Sequence, residues 1–149
     1  MCPTLRPVCA LVALVLVACG GGGGGNGGGG VQPGPSTFAI TEAPKDATHP
    51  EFGMGWPCGF VIDGVQGDEL MLQRGVTYTF QVNTVGHPVY FTTSAVGGAT
   101  VPGRITAGVA NDLITSGTMI FTPDNSLPNQ FFYQCGLHDR MGWRVTLTP

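Results

Sequence analysis

The chain has 149 residues, six Lys and Arg against nine Asp and Glu, and a formal net charge of −3. Charged residues make up 10% of it, against about 25% in typical soluble domains, and its length predicts one folded domain. The basic residues are scattered singly along the sequence, so no clustered patch for phosphate contacts is expected and nucleic acid is excluded as a partner.

Residues 1–18 are predicted to be a signal peptide. Arg6 is followed by an apolar run over residues 8–18, which has the length of a signal-peptide core and is too short to span a bilayer. The Leu-Val-Ala-Cys sequence at 16–19 resembles the lipobox of bacterial lipoproteins, in which a diacylated Cys becomes the new N-terminus. The resemblance makes Cys19 a lipid anchor; the alternative is cleavage elsewhere, with Cys19 incidental.

Residues 19–35 are predicted to form the lipidated Cys19 and a flexible tether. The glycine run over residues 20–30, broken only by Asn26, offers no side chain to bury. It is not a phosphate-binding loop, because no Gly-Lys-Ser/Thr sequence opening a helix follows it. The expected location is the cell envelope, with the protein facing the periplasm or cell exterior, at the outer membrane if the host has one. Residues 36–149 are then the folded domain.

The folded domain shows an all-β pattern, because no segment keeps an apolar period near 3.6 for three turns. In residues 77–82 the apolar side chains fall on every second position, as in a strand with one buried face. Seven or eight such strands predict a β-sandwich or barrel. The candidate strands are 59–62, 69–73, 77–83, 89–92, 118–122, 130–135 and 143–148, with one more near 38–41. Residues 97–116 are expected to form a long connection or one short helix.

Four side chains are candidate metal ligands. Cys135, His138 and Met141 recur at intervals of three directly after the strand 130–135, and His87 lies in the turn between two earlier strands. One thiolate and two imidazoles with a weak thioether suit copper and match the blue-copper arrangement. We therefore expect one copper ion at this end of the sandwich.

Residues 133–142, Tyr-Gln-Cys-Gly-Leu-His-Asp-Arg-Met-Gly, resemble the Tyr-x-Cys-x-x-His-x-x-Met loop of cupredoxins, with the short spacing of the amicyanin type. The strand order of residues 59–148 is similar to that of the same family. The resemblance implies a Greek-key β-sandwich or barrel and a type 1 copper centre for electron transfer. It implies Cys135 as the strong ligand, His87 and His138 as equatorial ligands and Met141 as the axial one.

Pro88 departs from the cupredoxin pattern. Many family members have an Asn after the first ligand His, and it ties this loop to the Cys loop by hydrogen bonds. Proline donates no backbone hydrogen bond, so the groups that orient the ligands are expected to differ here. Because such groups tune a metal site, the resemblance implies copper binding more directly than fast electron exchange.

Three functions remain open from the sequence. The first is a one-electron carrier that meets a redox partner protein, and the second is copper capture or delivery with a copper donor or acceptor as partner. The third is a metal-free β module with a Cys58–Cys135 disulfide, since exported proteins commonly form disulfides. If Cys135 is a ligand, Cys58 is expected to be a small buried apolar residue.

Other reactive side chains are predicted to be structural. His49 and Met54 lie in a segment rich in Pro and Gly and are expected on the surface, while Tyr133 is expected to pack beneath the metal site. No serine lies in a nucleophile-elbow pattern, and three histidines are too few for a multicopper cluster. We therefore expect a carrier or binding protein and not an enzyme.

Overall fold

The computed structural model describes residues 36–149, and its regular secondary structure is entirely strand. The predicted signal peptide, Cys19 and the tether lie outside these residues. Within the described part of the chain, no helix is long and apolar enough to cross a membrane. The predicted all-β fold is confirmed.

Eleven strands follow one another along the described chain. They are β1 (Thr37–Pro44), β2 (Cys58–Ile62), β3 (Val65–Gln66), β4 (Leu70–Gln73), β5 (Tyr78–Asn83), β6 (Val89–Thr92), β7 (Arg104–Ile105), β8 (Val109–Ala110), β9 (Ser116–Phe121), β10 (Gln130–Cys135) and β11 (Arg144–Thr148).

The eight strands of four or more residues lie where the sequence predicts strands, with ends that agree within a few residues. The two-residue strands β3, β7 and β8 are not predicted, because two residues are too few to show an alternating pattern. Residues 97–116 form the long connection that contains β7 and β8, and no helix lies there.

The strands form two sheets. One has six strands in the order β3-β2-β1-β5-β9-β8, and the other has five in the order β4-β11-β10-β6-β7. Most neighbours are antiparallel, but β1 pairs with β5 and β11 pairs with β4 in parallel. Each parallel pair joins strands that are distant in sequence. The first and last strands of the described chain, β1 and β11, each have a neighbouring strand on both sides.

Aromatic side chains from both sheets fill the space between them. The Phe80 ring of β5 meets the Phe91 ring of β6 at 5.5 Å between centroids, and Phe91 meets Phe121 and Phe131 at 4.6 and 5.7 Å. All four rings are fully buried. Such offset and edge-to-face contacts add to the stabilisation from apolar burial, and through Phe131 they hold the first half of β10 to the core.

The described structure contradicts the Cys58–Cys135 disulfide. Cys58 begins β2 in the six-stranded sheet, whereas Cys135 ends β10 in the five-stranded sheet. Cys135 is a free, buried thiol, and Cys58 is disulfide-bonded. Cys58 is fully buried as expected, but it is not a free thiol. The metal-free module that depended on the Cys58–Cys135 bond therefore loses its structural basis.

Candidate metal centre

Strand pairing brings His87 close to Cys135. The turn that carries His87 joins β5 to β6, and β6 pairs with β10 so that Val89 lies opposite Cys135. His138 follows Cys135 by three residues, on the loop that leads to β11. Two segments that are about 50 positions apart in the chain thus meet at one end of the five-stranded sheet.

The thiol and the two imidazoles form one cluster. The Nδ1 atoms of His87 and His138 lie 3.0 Å apart, and Cys135 Sγ lies 3.8 Å from the first and 4.0 Å from the second. His87 and Cys135 are buried, while His138 is half-buried. One donor atom from each residue lies within 4.8 Å of the others, which is close enough for a single ion to contact all three.

Met141 belongs to the same buried core as Cys135 and is fully inaccessible to solvent. Its backbone carbonyl accepts hydrogen bonds from the Phe60 amide at 2.6 Å and from the His49 ring, Nε2, at 3.2 Å. These two bonds fix the residue where the ligand loop returns to the sandwich. The fifth predicted site residue, Cys19, lies outside the described residues.

Burial sets the protonation of the cluster. Desolvation raises the pKa of the Cys135 thiol, although the backbone amides of Leu137 and His138 counteract part of this effect. Burial also lowers the pKa of His87, and the neighbouring His138 lowers it further. At neutral pH the site therefore presents a thiol and a neutral imidazole, which is the form of His that binds metals.

A hydrogen bond ties the two ligand-bearing segments together in spite of Pro88. The Gly136 amide donates to the Pro88 carbonyl at 2.8 Å, and the Leu137 amide donates to Cys135 Sγ at 3.4 Å. Proline cannot donate, but its carbonyl accepts. The two segments are therefore connected with residue 88 as the acceptor, so the groups that orient the ligands differ from the family pattern, as expected.

An indole ring covers the exposed side of the cluster. Trp56 lies in the segment before β2 and stacks on His138, with 3.9 Å between ring centroids and 23° between planes. The same indole lies 6.5 Å from the His87 ring, inclined by 55°. Trp56 therefore lies directly against a candidate ligand.

The segment before β2 also supplies buried polar groups, His49 and Glu51, that were not predicted to lie at the site. His49 is only 2% exposed, so its predicted surface position is wrong, whereas Met54 is exposed as expected. Glu51 is 4% exposed and pairs with Arg140 at 3.0 Å. Arg140 lies between His138 and Met141 in the left-handed region, with φ at 56°. These contacts hold the ligand loop against the 45–57 segment.

Solved structures resemble this fold at low sequence identity. A methionine-to-leucine variant of rusticyanin is 14% identical with a TM-score of 0.46, over 77% of this chain and 79% of its own. A histidine-to-methionine variant of rusticyanin is 16% identical with a TM-score of 0.43, over 77% and 80%. Lac15 from a marine microbial metagenome is 14% identical with a TM-score of 0.36, over 78% of this chain and 34% of its own.

Sequence comparison gives a family. No curated protein matches this sequence significantly. The family described as the At5g54830-like domain matches residues 59–148, which include all but the first strand of the sandwich and every residue of the thiol–imidazole cluster. Because the match covers more than half of the 149 residues, this chain belongs to the family of At5g54830-like domains.

Proposed function

We propose that this chain is a mononuclear copper-binding protein of the cell envelope that transfers single electrons, with His87, Cys135, His138 and Met141 as ligands. One observation carries the proposal: a thiol and two imidazoles from separate segments meet with their donor atoms within 4.8 Å. Thiolate sulfur and imidazole nitrogen are donors that copper favours, and a buried thioether is a suitable weak fourth ligand. The residues present therefore fit copper.

The scaffold holds the Cys135 and Met141 backbone without any ion. Cys135 ends a central strand, the Pro88 carbonyl fixes the turn of the loop behind it, and the Met141 carbonyl is held by two donors. Copper, when bound, would supply one-electron exchange between Cu(I) and Cu(II). A site held in this way needs little rearrangement when the charge of its ion changes, which favours electron transfer.

The tether and partners belong to the same proposal. A lipid anchor at Cys19 and a flexible segment to residue 35 would let the domain move near a membrane and meet a redox partner protein. The protein would act as a carrier and not as a catalyst. Half-buried His138 is the candidate ligand nearest to solvent, so electrons would enter and leave on its side.

Trp56 favours copper capture or delivery as a second function. Its ring covers one face of His138 and limits the approach of a redox partner to that imidazole. A covered site that retains Cu(I) would suit a protein that stores or hands over copper. The two functions share their ligands and differ in whether the ion changes its oxidation state in place.

Copper titration of the purified protein tests the proposal. We expect one equivalent to bind, measured by competition with a chromophoric chelator and by metal analysis after desalting. Cys135→Ser should weaken Cu(I) binding by more than about 100-fold, beyond the loss typical of residues outside the ligand set. Met141→Leu should weaken it by about tenfold, or about 1.4 kcal/mol.

Met119→Leu is the matched control, because Met119 is equally buried but lies on β9 in the other sheet. It should leave copper affinity unchanged. Equal affinities in the wild type and in Cys135→Ser would contradict the proposal. Reversible oxidation and reduction with the ion retained would favour electron transfer, whereas release of copper on oxidation would favour capture and delivery.

A further inference from the structure

A buried carboxylate lies behind the candidate metal centre. In β1 every second side chain faces the core, and Phe38, Ile40 and Glu42 share that face. Glu42 is 6% exposed, although its position in the alternation is one that an apolar residue would normally fill. Burying a carboxylate is costly unless a partner compensates for the lost water. Glu42 therefore needs a neighbouring group that compensates for this cost.

The His87 ring is the side chain that faces this carboxylate. Glu42 Oε2 lies 3.5 Å from His87 Nε2, and both side chains are more than nine-tenths buried. Neither carboxylate oxygen has a hydrogen-bond partner in good geometry within the described residues. Burial raises the pKa of the Glu42 carboxyl, and the Val85 backbone opposes that shift. The oxygen that faces the ring is placed to accept a proton from Nε2.

The two nitrogens of His87 face different groups. Nδ1 lies in the cluster, 3.0 Å from His138 Nδ1 and 3.8 Å from Cys135 Sγ, whereas Nε2 faces Glu42. A neutral imidazole carries one proton, so a proton on Nε2 leaves the Nδ1 lone pair free for a metal. A proton on Nδ1 would instead block the site and leave Glu42 without a donor.

We propose that Glu42 is a positioning residue that holds His87 as the Nε2–H tautomer, with Nδ1 available to the metal, and places a negative charge next to the centre. The inference rests on the proposed function only for the identity of the ion. A carboxylate that accepts from the far nitrogen of a ligating His orients the ring and makes it a better ligand. The Cys135 thiolate and the Glu42 carboxylate would together carry two negative charges. These would balance the two positive charges of Cu(II) and would exceed the one positive charge of Cu(I).

The tautomer can be read in the metal-free protein by long-range ¹H–¹⁵N NMR of the histidine rings. In the wild type we expect His87 to be protonated at Nε2 and not at Nδ1. In Glu42→Leu we expect a mixture of tautomers or the Nδ1–H form. Glu69→Gln is the control, because the Glu69 carboxylate pairs with Arg144 and not with a residue of the cluster, and it should leave the His87 pattern unchanged.

Copper affinity tests the role of the charge. Glu42→Gln keeps an acceptor oxygen and loses the charge, so Cu(II) affinity should fall by about 10- to 100-fold while Cu(I) affinity falls less. A wild-type His87 protonated at Nδ1 would overturn the inference, as would an unchanged tautomer in Glu42→Leu with unchanged Cu(II) affinity in Glu42→Gln. If Glu42→Leu fails to fold, the His87 tautomer of the wild type and the Cu(II) affinity of Glu42→Gln still test the inference. A protein with the expected tautomer that binds no copper would overturn the proposed function and leave the positioning role standing.

Discussion

The indole of Trp56 stacks on the imidazole of His138, with ring centroids 3.9 Å apart and planes inclined by 23°. The second tryptophan, Trp143, is packed against the core and has the Arg144 guanidinium 5.3 Å from its ring centroid. Of the two indoles, Trp56 is the one whose ring contacts the candidate imidazoles in the described structure. A redox-active ion bound next to His138 would quench the emission of a ring in direct contact with that ligand.

We predict that Cu(II) quenches the tryptophan fluorescence of the wild type in proportion to site occupancy. Trp143→Phe should retain nearly all of the quenching, and Trp56→Phe should lose most of it. The measurement is the tryptophan fluorescence of each variant, titrated with Cu(II) and compared at equal copper occupancy. Equal quenching in both variants would mean that the ion does not bind next to His138.

Gly142 is predicted to be essential to the packing of the ligand loop. A Cβ at this position would overlap the carbonyl carbon and oxygen of Tyr133, which are backbone atoms that cannot move aside cheaply. Gly142→Ala should lower the free energy of unfolding by about 3 kcal/mol, at the upper end of the range for overpacked sites. Urea denaturation monitored by circular dichroism measures this change.

Gly75→Ala is the control for Gly142→Ala. Gly75 has φ at 77° and open space around the added Cβ, so the substitution meets only the backbone penalty of about 1–2 kcal/mol for a left-handed residue. Copper affinity should fall in Gly142→Ala and stay unchanged in Gly75→Ala. A Gly142→Ala protein as stable as the wild type would show that the close contact with Tyr133 is not maintained in solution.

Burial of His49 predicts a loss of stability in acid. Desolvation lowers the pKa of His49, the Met141 carbonyl opposes this shift, and of the nearby charges Lys45 lowers the pKa while Glu51 and Asp46 raise it. The ring is therefore neutral in the folded protein, whereas the unfolded chain binds a proton below about pH 6.5. The unfolded state then holds more protons, so the free energy of unfolding falls as the pH drops from about 6.5 through the lowered folded pKa.

His49→Gln should flatten this pH dependence, because Gln can still donate to the Met141 carbonyl but does not titrate. His87, whose pKa is lowered in the same direction, remains in both proteins and accounts for the slope that is left. Thermal melts of the metal-free proteins at about pH 7.5 and about pH 5.5 compare the two slopes. Identical slopes would show that His49 is protonated equally in the folded and unfolded states.

Copper binding is predicted to release the Cys135 proton. Burial raises the pKa of this thiol, so it is protonated from about pH 7 to about pH 8, below even the ordinary thiol pKa of about 8.5. Metal must displace that proton, so the apparent association constant should rise by about tenfold per pH unit in this range. Competition titrations at several pH values measure the slope. A slope of zero would mean that the thiol is already ionised or is not a ligand.

The eight longer strands could be predicted because their alternating or continuous apolar residues are bounded by turn residues. The parallel pairing of β1 with β5 and of β11 with β4 could not be predicted, because it joins segments far apart in sequence. The ligand spacing after β10 pointed to the candidate centre. His87 was expected at the same end because it lies in a turn between two strands, and the pairing of β6 with β10 explains how it reaches Cys135.

The residues around the centre were harder to predict. His49 lies in a loop segment, where a buried position has no periodic pattern to reveal it. The prediction for Pro88 considered only its missing N–H donor, whereas its carbonyl accepts a hydrogen bond from the Gly136 amide. Glu42 did leave a signal, since it continues the apolar alternation of Phe38 and Ile40. A carboxylate on the core face of a strand is a position that calls for a buried partner.

The visible spectrum of the protein with one equivalent of Cu(II) tests the central claim most directly. A thiolate ligand in a His₂Cys site should give an intense visible absorption band, and Cys135→Ser should abolish it while Met119→Leu retains it. A bound ion with only weak absorption, the same in the wild type and in Cys135→Ser, would contradict the proposed role of Cys135 and with it the type 1 copper centre.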